Sequence, residues 1–448
     1  MLKNRLFEWR LPLVIFLVFT LHFAVGQFLT VRNPEFFLQN DGQEYFELGK
    51  NLGEKGRFVI EKRRYYEPRR SRVIPEMYRI QIFSVLHGAL TAAGIPAMTA
   101  AALLLALATA GSSCLMFLLA QRIADSEAAG WIALALFQFH PLLALYSVQF
   151  GSEALFTCSV LLFFYCLTRF NNWKCAVYSG LAGVFSALVR PTAFVFLPAG
   201  ICLFIFLAWL SAYREKRPFL TWHNFRPAVL FGFVFVLCSV PLLLRNHAVS
   251  GNWNLAGYLG GYNLYIGNNR ENMKAYRSFD GHEFLRHQTA GWDAACAISD
   301  HFPEDMPPAE ADRQFVRLAL EELRGMTHGE RFALFAGKAW HYLRPYPMPG
   351  IHGSLRFWGM TLCDTLLWGF GIAGFILVRK RGYRFVWAAL MILCSGLLAH
   401  TLVHVYMRHR VPFMTPIMIL FASVALVQLF QSFTAGKKHP QILHANPD

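Results

Sequence analysis

Residues 97–120 read AMTAAALLLALATAGSSCLMFLLA, a stretch without a single charged side chain. A bilayer core about 30 Å thick is crossed by roughly 20 mostly apolar residues in a helix. This stretch is long enough, and it does not stand alone. Working outward from it, apolar runs recur near 11–30, 128–146, 153–168, 174–189, 192–212, 227–244, 357–378, 384–403 and 410–431. Hydrocarbon offers no partner to backbone polar groups, so each run is expected to be a helix that satisfies its own. The expectation is an all-α polytopic integral membrane protein with about 10–12 transmembrane helices. A further apolar stretch at 80–93 fits a helix lying against the membrane surface.

The composition agrees: 55% of the 448 residues are hydrophobic and the mean hydropathy is +0.35. With 42 Lys+Arg against 27 Asp+Glu, the formal net charge is +15. In a soluble chain that excess would raise nucleic acid as a partner. Here much of it falls in short connectors, where positive charge marks the cytoplasmic side. With a cytoplasmic N-terminus, the inside segments carry Arg122, then Arg169 and Lys174, then Arg214, Lys216, Arg217 and Arg226, then Arg379, Lys380, Arg381 and Arg384, and finally Lys437 and Lys438. Lys3, Arg5 and Arg10 precede the first run, and Ala24-Val25-Gly26 resembles a signal cleavage site. The run is long enough to span, which favours an uncleaved first helix. Eight of the nine cysteines lie in or beside apolar runs and no CxxC pair occurs, so no disulfide framework is implied.

This orientation leaves two long segments outside, 31–79 and 245–356, and a cytoplasmic tail at 433–448. The second outer segment holds candidate amphipathic helices at 309–324 and 329–343. The first breaks the charge rule: between 54 and 79 it carries nine basic residues against four acids. A solvated face or a contact with anionic headgroups would account for it. Recognition of a phosphate or pyrophosphate is the sharper reading, because the arginine fork matches phosphate oxygens. Arg57, Arg63, Arg64 and Arg70 are the candidates, interleaved with Tyr65 and Tyr66.

Just upstream stands Asp41-Gly42-Gln43-Glu44-Tyr45. Asp41 follows the first span directly, at the height where a lipid headgroup meets water. It could instead cap a helix running from Gly42, with Glu44 completing a capping box. Glu153 opens a span on the same face, where the helix dipole alone would favour an acid. Arg190-Pro191 lies at that face too, either as a paired functional arginine or as a plain turn. His400 and His404 sit at i,i+4 spacing, but no glutamate completes a metal-binding HExxH pattern. No P-loop or dinucleotide fingerprint is present.

Taken in order, these pieces resemble the GT-C-type membrane glycosyltransferases, in particular the group around protein O-mannosyltransferases and the lipid A aminoarabinose transferase. The likeness rests on Asp41 to Tyr45 with Asn51-Leu52 and Gly56-Arg57-Phe58, on Ser152-Glu153-Ala154-Leu155-Phe156, and on Gly183 with Leu188-Val189-Arg190-Pro191-Thr192. It continues through Pro241-Leu242-Leu243-Leu244-Arg245-Asn246 and Gly260-Gly261-Tyr262-Asn263-Leu264-Tyr265-Ile266-Gly267-Asn268-Asn269 to Arg408-His409-Arg410-Val411-Pro412. It spans residues 1–432 as one transferase domain. Two departures stand out: Gly42 occupies the place of a second acid, and Pro75-Glu76-Met77-Tyr78-Arg79 replaces a Pro-Pro-Leu-Tyr-Pro lead-in.

The resemblance implies a sugar donor carried on polyprenyl phosphate and a lipid, glycan or protein acceptor. It also implies inversion at the anomeric carbon and an active site on the outer face of a plasma membrane, here a bacterial inner membrane. Asp41 would be the general base, with Glu44 and Glu153 as further catalytic carboxylates. Tyr45, Arg190, Asn263, Asn268 and Asn269 would contact substrate, although the asparagines could equally order the second loop. No cofactor is called for, and a divalent metal stays open. A transporter or flippase of lipid-linked saccharides is the alternative, followed by a scaffold subunit or an outer-face polymerase or ligase. Transport would call for repeat symmetry and acids at mid-membrane. No repeat is visible, and Asp364 reads as lying near a span end.

Overall fold

The computed structural model describes residues 2–39, 41–60, 82–169, 173–278, 280–303, 306–345, 354–379 and 383–436. α1 (Leu2–Arg32) leads into the short α2 (Pro34–Phe37), then α3 (Gly42–Lys55) and α4 (Ile82–Ala92). α5 (Ala97–Ala124) contains the opening apolar stretch. After it come α6 (Glu127–Phe139), α7 (Pro141–Val148), α8 (Ser152–Arg169) and α9 (Trp173–Val189). A 3-10 turn, Pro191–Val195, starts α10 (Phe196–Arg214), and α11 (Trp222–Ser250) follows. α12 (Gly260–Asn268), α13 (Arg270–Arg277), α14 (Gly281–Asp300), α15 (Pro308–Gly325) and α16 (His328–Leu343) form a helical unit between spans. The chain closes with α17 (Ser354–Val378), α18 (Tyr383–Leu402), α19 (Met407–Phe413) and α20 (Thr415–Gly436).

The protein is an all-α integral membrane protein. Among the described residues eight helices are long and apolar enough to cross a bilayer, and α6 with α7 forms a ninth, bent by 65° at its break. α9, with 17 residues, packs between α8 and α11; counting it and the bent pair recovers the ten runs of the sequence. α8 and α5 are the most enclosed of the spans, with 78% and 67% of their apolar windows buried. Outer spans keep large apolar side chains exposed, such as Phe16 and Leu21 on α1 and Phe233 and Leu237 on α11. Lipid tails are as apolar as leucine, so close packing rather than water exclusion joins the spans, and small residues allow it. A Cβ on Gly26 of α1 would meet that of Ala102 on α5 at 3.0 Å, and one on Gly374 of α17 would overlap the Phe421 carbonyl of α20.

Three details depart from the sequence reading. The run at 128–146 is broken at His140-Pro141: proline disfavours a helical residue before it, and His140 is extended at φ −69°, ψ 120°. The last span starts at Thr415, not 410, because residues 407–413 form the separate α19. Asp364 lies ten residues into α17 rather than near its end, about 15 Å along the axis. It is buried against His140 (Nε2–Oδ1 2.9 Å) and Arg410, whose guanidinium also donates to the Arg344 carbonyl.

Between spans, α15 and α16 fall where the amphipathic pattern puts them. Thr327 and Glu330 form a reciprocal capping box at the start of α16. Tyr262, Tyr265, Ile266, Phe315 and Ala319 give this unit its own small core. None of the nine cysteines forms a disulfide among the described residues.

Candidate active site

Antiparallel spans send alternate connectors to the same end of the bundle. One end holds the basic connectors, where an Arg122 N–H donates to the Arg169 carbonyl at 2.9 Å and Arg214 lies over the Tyr383 ring at 4.3 Å. The other end gathers residues 33–60, 149–152, 190, the α12–α16 unit and 403–413. Here the polar residues meet.

Asp41 stands at the N-cap position of α3 but does not act as a cap. Its backbone is already helical (φ −61°, ψ −18°) and its side chain makes no capping bond. The carboxylate turns instead toward Arg408 in the first turn of α19, with Oδ2 at 3.4 Å from a guanidinium nitrogen. Both side chains keep nearly a third of their surface accessible, 30% for Asp41 and 28% for Arg408. Burial works against the Arg408 charge, yet Asp41, then Glu153, outweighs it and holds the guanidinium firmly protonated.

Glu153 is brought near by a second set of contacts. The Phe150 N–H donates to the Phe37 carbonyl at 2.7 Å, and a Cβ on Gly42 would overlap the Phe150 carbonyl oxygen. The start of α3 therefore lies directly on the turn that opens α8. Glu153, buried in the first turn of α8, pairs with Arg190; Arg190 Nε also donates to Ser152 Oγ at 2.8 Å. Arg190 in turn lies 5.7 Å from the Phe156 ring. Two carboxylates and two guanidiniums thus share one end of the bundle: a half-open pair, Asp41–Arg408, beside a closed one, Glu153–Arg190.

No family profile matches the sequence, and no curated protein matches it either. Solved structures do. The apo oligosaccharyltransferase of Archaeoglobus fulgidus superposes with a TM-score of 0.53 at 13% identity, over 94% of this chain and 51% of that one. The two proteins share a fold. The same archaeal protein tethered to an acceptor peptide gives 0.51 at 14% identity, over 97% and 52%. This chain therefore spans about half the length of that oligosaccharyltransferase. ArnT from Cupriavidus metallidurans, bound to undecaprenyl phosphate, aligns over 97% of this chain and 81% of its own at 12% identity, with a TM-score of only 0.39.

Within this fold the residues picked from sequence part company. Asp41, Glu153 and Arg190 gather at one end. Glu44 is buried in the first turn of α3. Tyr45 is buried too, edge-on to Phe83 at 5.5 Å, which makes it a packing residue of the α3–α4 pair. Arg57 is exposed just past the other end of α3, about 20 Å along the axis from Asp41. Arg63, Arg64 and Arg70 lie outside the described residues, as does most of the 433–448 tail.

Asn263 is half-buried on α12. Asn268 and Asn269 are buried and spent on backbone: Asn268 Nδ2 donates to the Leu402 carbonyl at 3.0 Å, while Asn269 caps α13 and reaches the Gly291 carbonyl at 3.3 Å. Both order the unit they belong to. The His400/His404 pair is not an i,i+4 helical pair, since α18 stops at Leu402. Both rings meet His409: His400 stacks on it with centroids 4.4 Å apart, and His404 lies edge-on to it at 5.0 Å. Among the described residues no group of three or more His, Cys, Asp or Glu is arranged for a metal ion.

Sequence reading passed over Arg408 as a site residue. Its signal was available in the Arg408-His409-Arg410 lead-in to the last span, but nothing local distinguished Arg408, which faces Asp41, from Arg410, which is buried against Asp364.

Proposed function

We propose that the chain is a glycosyltransferase moving a sugar from a polyprenyl-phosphate carrier to an acceptor at the outer face of a bacterial inner membrane, with residues 1–432 as one catalytic unit. The observation that carries this reading is the Asp41–Arg408 pair: a water-accessible carboxylate kept off the helix cap and set against a guanidinium at the end of the bundle away from the basic connectors. The GT-C fold and the archaeal oligosaccharyltransferase that shares it support the reaction class.

Asp41, set against Arg408, acts as general base, taking the proton of an acceptor hydroxyl as it attacks the anomeric carbon. The leaving group is a lipid phosphate. Arg408, exposed on one side, is the donor that meets its growing charge, together with Arg63, Arg64 or Arg70. A guanidinium drawn toward phosphate loosens its hold on Asp41, so arrival of the donor would raise the basicity of the carboxylate when it is needed. Glu153, closed on Arg190, shapes the rim.

The test is release of free polyprenyl phosphate by the purified, reconstituted chain given a lipid-linked sugar and an acceptor. Asp41→Asn is expected to cut turnover about 10²- to 10⁴-fold while the protein still inserts, the range for removing a general base. Near-normal turnover by that variant overturns the assignment.

A further inference from the structure

Residues 402–406, between α18 and α19, are gripped on nearly every side by the α12–α16 unit. The Leu402 carbonyl accepts from Asn268 Nδ2 at 3.0 Å. The Val403 carbonyl accepts from Lys338 Nζ at 2.8 Å, and the same ammonium donates to Asn268 Oδ1 at 2.7 Å. The Tyr276 hydroxyl accepts from the Val405 N–H at 2.9 Å and donates to the Val405 carbonyl at 3.3 Å. Trp292 Nε1 donates to the Tyr406 hydroxyl at 2.7 Å. Gly267 has no room for a Cβ against the Val403 carbonyl, so the two backbones touch.

A helix end leaves its last carbonyls without partners, and ordinarily water or a cap supplies them. Here α13 and α16 reach in from elsewhere in the chain, and Lys338 does so from a fully buried position (0% exposed) between the Tyr276 and Phe335 rings. A lysine in such a place is costly unless its protons are all well placed. The gripped backbone runs straight into the site. Tyr406 N–H donates to His409 Nδ1 at 3.3 Å, and His409 N–H donates back to the Tyr406 carbonyl at 3.0 Å, fixing the first turn of α19. Arg408 lies in that turn.

We infer that Lys338 and Tyr276 are positioning residues, through which the α12–α16 unit holds the 402–406 backbone and so aims Arg408 at Asp41. The unit between the spans thereby becomes part of the site without touching the reacting atoms: any shift of α13 or α16 passes to Arg408 through hydrogen bonds to main chain.

The experiment has two arms, and the second rests on the transferase reading above. Tyr276→Phe removes one hydroxyl and keeps the ring; Lys338→Met removes the ammonium and keeps most of the stem. In the first arm, amide exchange of the reconstituted full chain is followed. Either variant is expected to speed exchange at residues 404–413 about tenfold or more, with α5, α8 and α15 unchanged. Unaltered exchange at 404–413, or equal acceleration throughout α12–α16, overturns the inference.

In the second arm, Tyr276→Phe is expected to lower kcat about tenfold with little change in KM for the lipid-linked donor. The same substitution should cost less than about twofold when Arg408→Gln is already present, since the two act through one guanidinium. Equal losses in both backgrounds mean a merely structural role. Should the wild-type chain release no polyprenyl phosphate, the transferase reading falls, and the exchange arm still decides this one. If Lys338→Met does not fold, Tyr276→Phe carries both arms.

Discussion

Gly42 stands where the family pattern has a second acid, and its neighbour explains why no side chain is there: the Phe150 carbonyl occupies the space a Cβ would need. The missing acid is therefore tied to the contact that brings α3 onto the turn before α8. Gly42→Ala is expected to destabilise the protein by about 1–3 kcal/mol, the usual penalty for forcing an extra carbon into a closed contact. It should also depress transfer, because Asp41 moves with the helix start. Thermal unfolding in detergent and turnover check the two parts, and a variant with wild-type values for both would show that the contact can relax freely. Asp41 was readable as a candidate base through the resemblance, while a cap role competed with it as a local pattern; its dihedrals and the reach to Arg408 remove the cap role.

At the scale of elements, two breaks in the helices do the organising. The first, at His140-Pro141, places His140 against Asp364 on α17, which also holds Arg410 from α19. Three elements meet on one carboxylate. Removing it leaves a buried arginine without its counter-charge, a loss that typically costs about 3–5 kcal/mol. Asp364→Ala should lower the unfolding midpoint markedly, and adding Arg410→Met should recover much of the loss; a fall that the second change deepens would argue against charge as the cause.

The second break, at 403–406, brings His404 and His409 together beside Arg408. Both lie outside the spans. Burial, then Arg408 and Lys338, pushes His404 down to about 3 from an ordinary 6.5, with only Asp41 pulling the other way. Burial, then His400 and His404, lowers His409 as well. Histidines kept neutral in the fold stabilise it fully above pH 6.5. That stability is lost as pH falls from there toward 3, because the opened segment takes up protons that the closed one refuses. Amide exchange is base-catalysed and slows intrinsically over this range, so it is the protection at 404–413, relative to intrinsic exchange, that is expected to fall between pH 6.5 and pH 5. Constant protection over that window would remove the histidines from the account.

At the scale of the whole molecule, the connectors sort by end. Basic ones meet at one end and the candidate site at the other, which fits a cytoplasmic N-terminus under the positive-inside rule. In a cysteine-depleted background, a cysteine at Lys216 should react with a membrane-impermeant maleimide only from the cytoplasmic side. One at Lys274 should react only from the outside. The reverse pattern would put the site in the cytosol, away from any outer-face acceptor.

The ten apolar runs and the amphipathic α15 and α16 were legible in the sequence, because length and period are local quantities. The likeness to GT-C proteins likewise lay in short pieces taken in order. Asp41, Glu153 and Arg190 could be picked out as polar residues beside spans. Their partners could not. Asp41 and Arg408 are 367 positions apart, and pairs so distant depend on which helix faces meet. Nothing in Asn268 or Asn269 marks them as backbone clamps rather than sugar ligands; the carbonyls they bind arrive from α18 and α14 only when the chain has packed. Hydrophobic runs decide what crosses a membrane, while the packing of those runs decides which charges end up side by side.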